Sequence, residues 1–154
     1  GRPNVDYAQA DADFNGYEFE VGRSFSTNNG ELKISYGREE VVGTFASGGN
    51  VPRITPIKNV YRFALEQRDV TYDIKIMDVQ KEDDIGFGES VTDGYTMVDF
   101  DIRRSIAIGN DEELVLSVFG RNLMDEKARN HTSYVKNEVP LAGRNFGIKL
   151  NFNF

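Results

Sequence analysis

The sequence predicts an all-β protein, an antiparallel up-and-down meander of about seven strands. Three observations predict it: apolar and polar side chains alternate with a two-residue beat, the connections alternate between short and long, and the prolines fall outside the alternating runs. In the first run Tyr17, Phe19 and Val21 face away from Glu18, Glu20 and Gly22, and in the second Leu32, Ile34 and Tyr36 oppose Glu31, Lys33 and Ser35. Tyr61, Phe63 and Leu65 then alternate with Arg62, Ala64 and Glu66, and Val70, Tyr72, Ile74 and Ile76 with Thr71, Asp73, Lys75 and Met77. Val98, Phe100 and Ile102 oppose Asp99, Asp101 and Arg103 in a fifth strand. Leu114, Leu116 and Val118 mark a sixth, whose other face, with Val115 and Phe119, is less polar. The last is the clearest: Phe146, Ile148, Leu150, Phe152 and Phe154 share one parity and Asn145, Gly147, Lys149, Asn151 and Asn153 the other. A helix, with its period of ~3.6, would scatter those five apolar residues around its circumference.

Short turns are expected at residues 26–30, around Arg68 and Asp69, and at 109–112, each with turn chemistry such as Asn29-Gly30 or Gly109-Asn110-Asp111. Long connections lie between them, at about residues 46–58, 82–94 and 124–144, well beyond a hairpin's usual ~2–5 residues. Pro3, Pro52, Pro56 and Pro140 avoid the strand interiors, where a missing N–H would break the ladder. Short turns on one rim and long loops on the other are the signature of an outer-membrane β-barrel. A water-soluble antiparallel barrel or sandwich, with its apolar face turned inward, shows the same alternation and stays open as the alternative, in its barrel form as an up-and-down binder of a small apolar ligand.

Composition narrows the function. The 154 residues suffice for one domain, and 39% hydrophobic with 28% charged residues excludes a wholly disordered chain. A net charge of −7 without a basic patch argues against nucleic acid as a partner. The absence of cysteine excludes disulfides, thiolate zinc sites and cysteine nucleophiles, and the single His131 excludes sites built on several histidines. No apolar run approaches the ~18 residues of a membrane-spanning helix. No cofactor is expected.

Several segments occur in the order found in the C-terminal part of TonB-dependent outer-membrane receptors, which the chain resembles. Asn15-Gly16-Tyr17-Glu18 resembles that family's Gly-x-Glu strand opening, and Val51-Pro52-Arg53-Ile54-Thr55-Pro56 its Leu-Pro-Arg-Ile-Pro-Pro segment. Gly94-Tyr95-Thr96-Met97-Val98-Asp99 is similar to its Gly-Tyr-Thr-x-x-Asp strand start, and Asn122-Leu123-Met124-Asp125-Glu126 to its Asn-Leu-x-Asp. Arg129-Asn130-His131, then Pro140-Leu141-Ala142-Gly143-Arg144-Asn145-Phe146, and the terminal Phe154 complete the series, which looks most like the siderophore and metal-uptake branch. Thr55 stands where the family has proline, and Lys127-Ala128 where an aromatic is common, so the ligand class is not carried over.

The resemblance implies a portion of a 22-stranded transmembrane barrel, with residues 1–154 supplying the last seven strands and the plug domain and earlier strands absent. It implies as partners the lipid of the Gram-negative outer membrane, the remaining strands and plug, the energy-coupling protein TonB through the absent N-terminal part, and the barrel-assembly machinery. The function expected is that of barrel wall and extracellular loops in energy-coupled uptake of a metal chelate or metal ion. Seven strands leave two open edges, and unpaired backbone groups in hydrocarbon cost several kcal/mol each. Edge partners are therefore required.

Candidate residues fall into three groups. Glu18, Glu20, Arg62, Asp73, Asp99, Asp101, Arg103 and Lys149 belong to the polar parity and are expected to line a wet lumen. Arg129, Asn130, His131 and Tyr134 lie in the longest loop as ligand-binding candidates, with a solvated or locally hydrogen-bonded His131 the plainer reading. Phe146, Ile148, Leu150, Phe152 and Phe154 resemble the signal read by the barrel-assembly machinery. Asp99 and Asp101, about 6.5–7 Å apart along one strand face, are the pair a carboxylate-based enzyme would use; a lumen role is favoured and no catalysis is expected. No metal site is assigned, Glu82-Asp83-Asp84 reading as a solvated loop. Arg144 is expected to anchor the long loop to inward carboxylates.

Overall fold

A computed structural model describes residues 9–109 and 112–154. Pro3 and the Asn110-Asp111 turn lie outside the described residues. Seven strands follow in order: β1 (Ala12–Thr27), β2 (Gly30–Phe45), β3 (Lys58–Gln67), β4 (Val70–Val79), β5 (Tyr95–Ala107), β6 (Glu113–Arg121) and β7 (Asn145–Asn153). They form one sheet in the order β1-β2-β3-β4-β5-β6-β7, each ladder antiparallel to the next. Because direction alternates, the connections after β2, β4 and β6 all emerge at one end and those after β1, β3 and β5 at the other.

The register carries the sequence alternation across the whole sheet. One row runs Phe63, Ile74, Phe100, Gly120 and Phe146; the next runs Tyr72, Ile102, Val118 and Ile148, each residue directly opposite its neighbour. Phe19, Val21, Leu32, Ile34, Tyr61 and Leu65 continue the same face to the other edge. The opposite face receives Glu18, Glu20, Arg62, Asp73, Asp99, Asp101, Arg103 and Lys149, with Lys33–Glu66 at 2.7 Å, Lys58–Glu39 at 2.5 Å and Arg121–Asp101 at 2.8 Å as cross-strand ion pairs.

Nothing among the described residues covers the apolar face. Among the described residues the only buried hydrophobic side chains are Val79 and Ala128, while Phe63, Ile74, Ile102, Ile148 and Leu150 are exposed. The sheet does not close on itself, for β1 and β7 are its two edges and neither pairs with the other. Among the described residues the apolar parity converges on no closed interior of the kind a soluble up-and-down barrel would need.

Both β1 and β2 exceed their sequence-predicted spans, and the reason lies in a belt of polar side chains on the apolar parity at the loop end. Tyr17 Oη donates to Glu40 Oε2 at 2.7 Å, and Arg38 donates to Tyr17 Oη at 2.8 Å, to Glu40 Oε2 at 2.7 Å and to Asn59 Oδ1 at 3.3 Å. Asn59 Oδ1 also accepts from Tyr36 Oη at 2.9 Å, Asn59 Nδ2 donates to Asp78 Oδ2 at 3.3 Å, and Thr96 Oγ1 donates to Asp78 Oδ1 at 3.1 Å. Five strands are thus stitched by one hydrogen-bonded row that ends the apolar band and hides the strand alternation beyond it.

The start of β5 is tightly fitted. A Cβ on Gly94 would stand 2.8 Å from both the Val79 carbonyl oxygen and the Lys81 amide nitrogen, backbone atoms that cannot yield without parting the β4–β5 ends. Gly94→Ala is expected to destabilise the fold by about 1–3 kcal/mol, measured as a lowered unfolding midpoint.

Candidate functional site

At the loop end the three long connections fold onto one another, and each is first fixed by its own geometry. The β2–β3 loop turns through Gly48 and Gly49, both with φ near +93°, and sends Val51 back to the Gly43 carbonyl. The β4–β5 loop is narrowed by an isolated bridge between Glu82 and Thr92. Lys81 and Asp83 pair at 2.7 Å within its acidic stretch, and that ammonium, with its hydrogen bond, holds the Asp83 carboxyl below its usual range.

Asn122 governs the β6–β7 loop. Its backbone N–H donates to Asp99 Oδ1 at 2.9 Å. Its side chain donates to the carbonyls of Glu126 at 2.9 Å and Ala142 at 3.1 Å, and it accepts from the Glu126 N–H at 2.8 Å. The two ends of a long excursion are therefore tied through one buried amide, held at φ 50°, a region asparagine tolerates better than most residues. Arg144 stands beside it, but not as expected: its carboxylate is Asp125 of the same loop, 3.9 Å from Nη2 and 2.9 Å from the Arg144 backbone N–H, instead of an inward strand residue.

The centre of the cluster is His131, 2% exposed. Its Nδ1 lies 2.9 Å from Thr92 Oγ1 and 3.1 Å from Lys136 Nζ, and its Nε2 lies 3.5 Å from Glu89 Oε1. Lys136, also buried, donates to the Ser90 carbonyl at 2.5 Å. Glu89 accepts from the backbone N–H groups of Arg53 at 2.9 Å and Gly86 at 3.0 Å. Burial pushes that carboxyl up, but the two amides with His131 and Lys136 outweigh it and leave it below the usual carboxylate range. Arg53, at φ 65°, also donates to the Thr132 carbonyl and lays its guanidinium over the Tyr134 ring, 3.2 Å from the centroid.

The four loop candidates separate here. Arg129 donates to the Lys136 carbonyl, Asn130 accepts from Thr132 at 2.9 Å, and His131 is enclosed; these hold the loop's shape. Tyr134 is widely open to solvent, at 85%, and Asn130 is exposed beside it. His131 is thus not placed to meet a ligand from outside, because its ring atoms are spent on Thr92, Lys136 and Glu89. Glu89, Thr92 and Lys136 are residues sequence reasoning missed, and Arg53 and Asn122 entered it only within family-like segments, without a role of their own. A polar face in alternation marks a strand, whereas contacts such as Thr92 to His131 join loops with no periodic signal.

The lumen-side carboxylates are occupied separately. Asp99 receives the Asn122 amide and Asp101 receives Arg121 Nη2 at 2.8 Å, so the two are used as structural acceptors by different neighbours. Among the described residues no group of three or more His, Asp and Glu side chains gathers as metal ligands would. On the polar face a cavity of about 110 Å³ is lined by Glu18, Glu20, Ser35, Glu39, Lys58 and Arg62 among others, where Lys58 already pairs with Glu39.

Removing the Asn122 side chain would strand the Glu126 N–H and two loop carbonyls. Asn122→Ala is expected to cost about 2–4 kcal/mol and to open residues 123–143 to protease, read as faster limited proteolysis of that loop with the strands still protected.

No sequence-family model and no curated protein matches the chain. Among solved structures it is similar to the copper transporter OprC, with a TM-score of 0.82 at 19% identity, over 94% of this chain and 24% of that one. The likeness is one of fold, and the chain spans about a quarter of that protein's length.

Proposed function

We propose that this chain is a wall segment, with three external loops, of an outer-membrane β-barrel receptor that takes up a metal ion or metal chelate. The observation that carries the reading is the uncovered apolar band. In water such a face is an aggregation surface, whereas against acyl chains it is the surface a barrel must present. Its extent supports this: along β4 the band runs from Val70 to the belt residue Asp78, which is about 27 Å along the strand and about 20 Å across a bilayer at the usual tilt of ~40°. Charged side chains gather on the other face, where a hydrated lumen would receive them.

Fold likeness to a copper transporter supports transport as the activity and a metal as cargo. The plug domain and TonB coupling rest on the resemblance of the sequence segments, and the missing strands answer the free edges of β1 and β7. Phe146, Ile148, Leu150, Phe152 and Phe154, all exposed on or beside edge strand β7, are accessible to the barrel-assembly machinery in this reading. The same reading leaves catalysis without a role, since Asp99 and Asp101 serve as acceptors for Asn122 and Arg121.

Cells expressing the full-length protein that carries this chain are expected to accumulate labelled copper, zinc or a ferric chelate at limiting concentration, and only while the inner membrane is energised. Accumulation no greater than in cells lacking the protein, for all three, would remove the uptake function. Independently, Ile74→Arg in the middle of the apolar band is expected to destabilise the lipid-embedded protein by about 2–4 kcal/mol, whereas Lys75→Ala on the opposite face is expected to change it by no more than about 0.5 kcal/mol, both measured by reversible unfolding in lipid.

A further inference from the structure

We propose that His131 makes the junction of the three loops a pH-sensitive clasp, closed while its imidazole is neutral and released when the ring takes up a proton. The inference concerns the loops alone and holds whatever cargo the protein carries. It begins with donor and acceptor counting. A lysine ammonium has three donors and no acceptor, so Nδ1, facing Lys136 Nζ at 3.1 Å, has to offer a lone pair. The ring proton then sits on Nε2, which looks toward Glu89 Oε1 at 3.5 Å.

One neutral ring in this tautomer joins all three connections. Nδ1 ties the β6–β7 loop to Thr92 of the β4–β5 loop, and Lys136 adds a second tie through the Ser90 carbonyl. Glu89 passes the linkage to the β2–β3 loop through the Arg53 amide. A proton on Nδ1 would turn the acceptor into a donor and set a second positive charge beside Lys136 in a site closed to water.

The charged groups facing the ring come from each loop. Lys136 from its own loop and Arg53 from the β2–β3 loop oppose protonation, while Glu89 and Glu82 from the β4–β5 loop favour it. Burial and Lys136 prevail, holding the ring below its usual value of 6.5. With the loops apart the ring returns to about 6.5, so opening takes up a proton. The closed state therefore has its full stability above about pH 6.5 and loses it as pH falls, with the opening equilibrium rising toward a limit of about tenfold per pH unit until the enclosed ring itself protonates.

The test uses the full-length protein in detergent micelles. Hydrogen-exchange protection factors for residues 86–92 and 129–139 are expected to drop by up to about fivefold between pH 6.5 and 5.5, while those of β3 and β4 hold steady. His131→Gln keeps an acceptor for Lys136 and a donor for Glu89 but cannot titrate, and its loop protection is expected to stay level over that range. Level protection in the wild type, or the same decline in His131→Gln, overturns the proposal. Should that variant fail to assemble, ¹⁵N shifts of wild-type His131 decide: a neutral ring protonated on Nε2 at pH 7.5, charging in step with loop exposure, supports the clasp, and a charged ring or the other tautomer at pH 7.5 refutes it.

Discussion

Six ladders must each hold the one register that keeps apolar side chains on a common side, and every other feature of the molecule depends on that alignment. The side-chain period of a strand is two, so a slip of one residue in a single ladder would turn every strand beyond it inside out. A slip between β3 and β4 would carry Asp73, Lys75, Asp99, Asp101 and Arg103 to the apolar face at one stroke. The pairs seen, Phe63 with Ile74 and Ile74 with Phe100, are those of the aligned register. Two short connections reinforce it on the turn side, since β1 passes to β2 and β3 to β4 across two residues each and neither leaves slack for a shift.

The strands were legible because a one-sided apolar environment writes itself into alternate residues. Where that environment ends, so does the legibility. At the belt Arg38 and Glu40 occupy the parity that carried Leu32, Ile34 and Tyr36, while beyond it Phe14 and Val41 appear on the other, and neither composition nor periodicity distinguishes the outer halves of β1 and β2 from loop. Hydrogen bonds between strands, independent of side-chain polarity, continue those ladders to Ala12 and Phe45. The belt residues themselves, Asn59 and Asp78 above all, form the border of the apolar run.

The loop cluster was legible only in part. The long loops and their common rim followed from the spacing of strands, and of the two plain readings of His131, solvated or locally hydrogen-bonded, its enclosure excludes the first. Its partners lay beyond reach. Thr92 is 39 residues away, and Arg53 is 79 residues from the Thr132 carbonyl it meets. Contacts between excursions from different strand pairs depend on how far each loop leans over the rim, and no short stretch of sequence encodes that. Arg144 illustrates the same gap at short range: a cation near a strand start needed a carboxylate, and Asp125, turned back by its own φ of 56°, was nearer than any strand residue.

The unequal lengths of the strands have a mechanical consequence. From Tyr17 at the belt, β1 continues five residues to Ala12, paired with β2 along the way, and rises roughly 16 Å at the usual strand spacing. That hairpin is a stiff parapet standing clear of the greasy zone on one flank, while β7, at the opposite flank, begins near the border itself. A body arriving from the rim side would strike braced backbone at one flank and a folded loop at the other, so the mouth of the structure is lopsided in rigidity as well as in height.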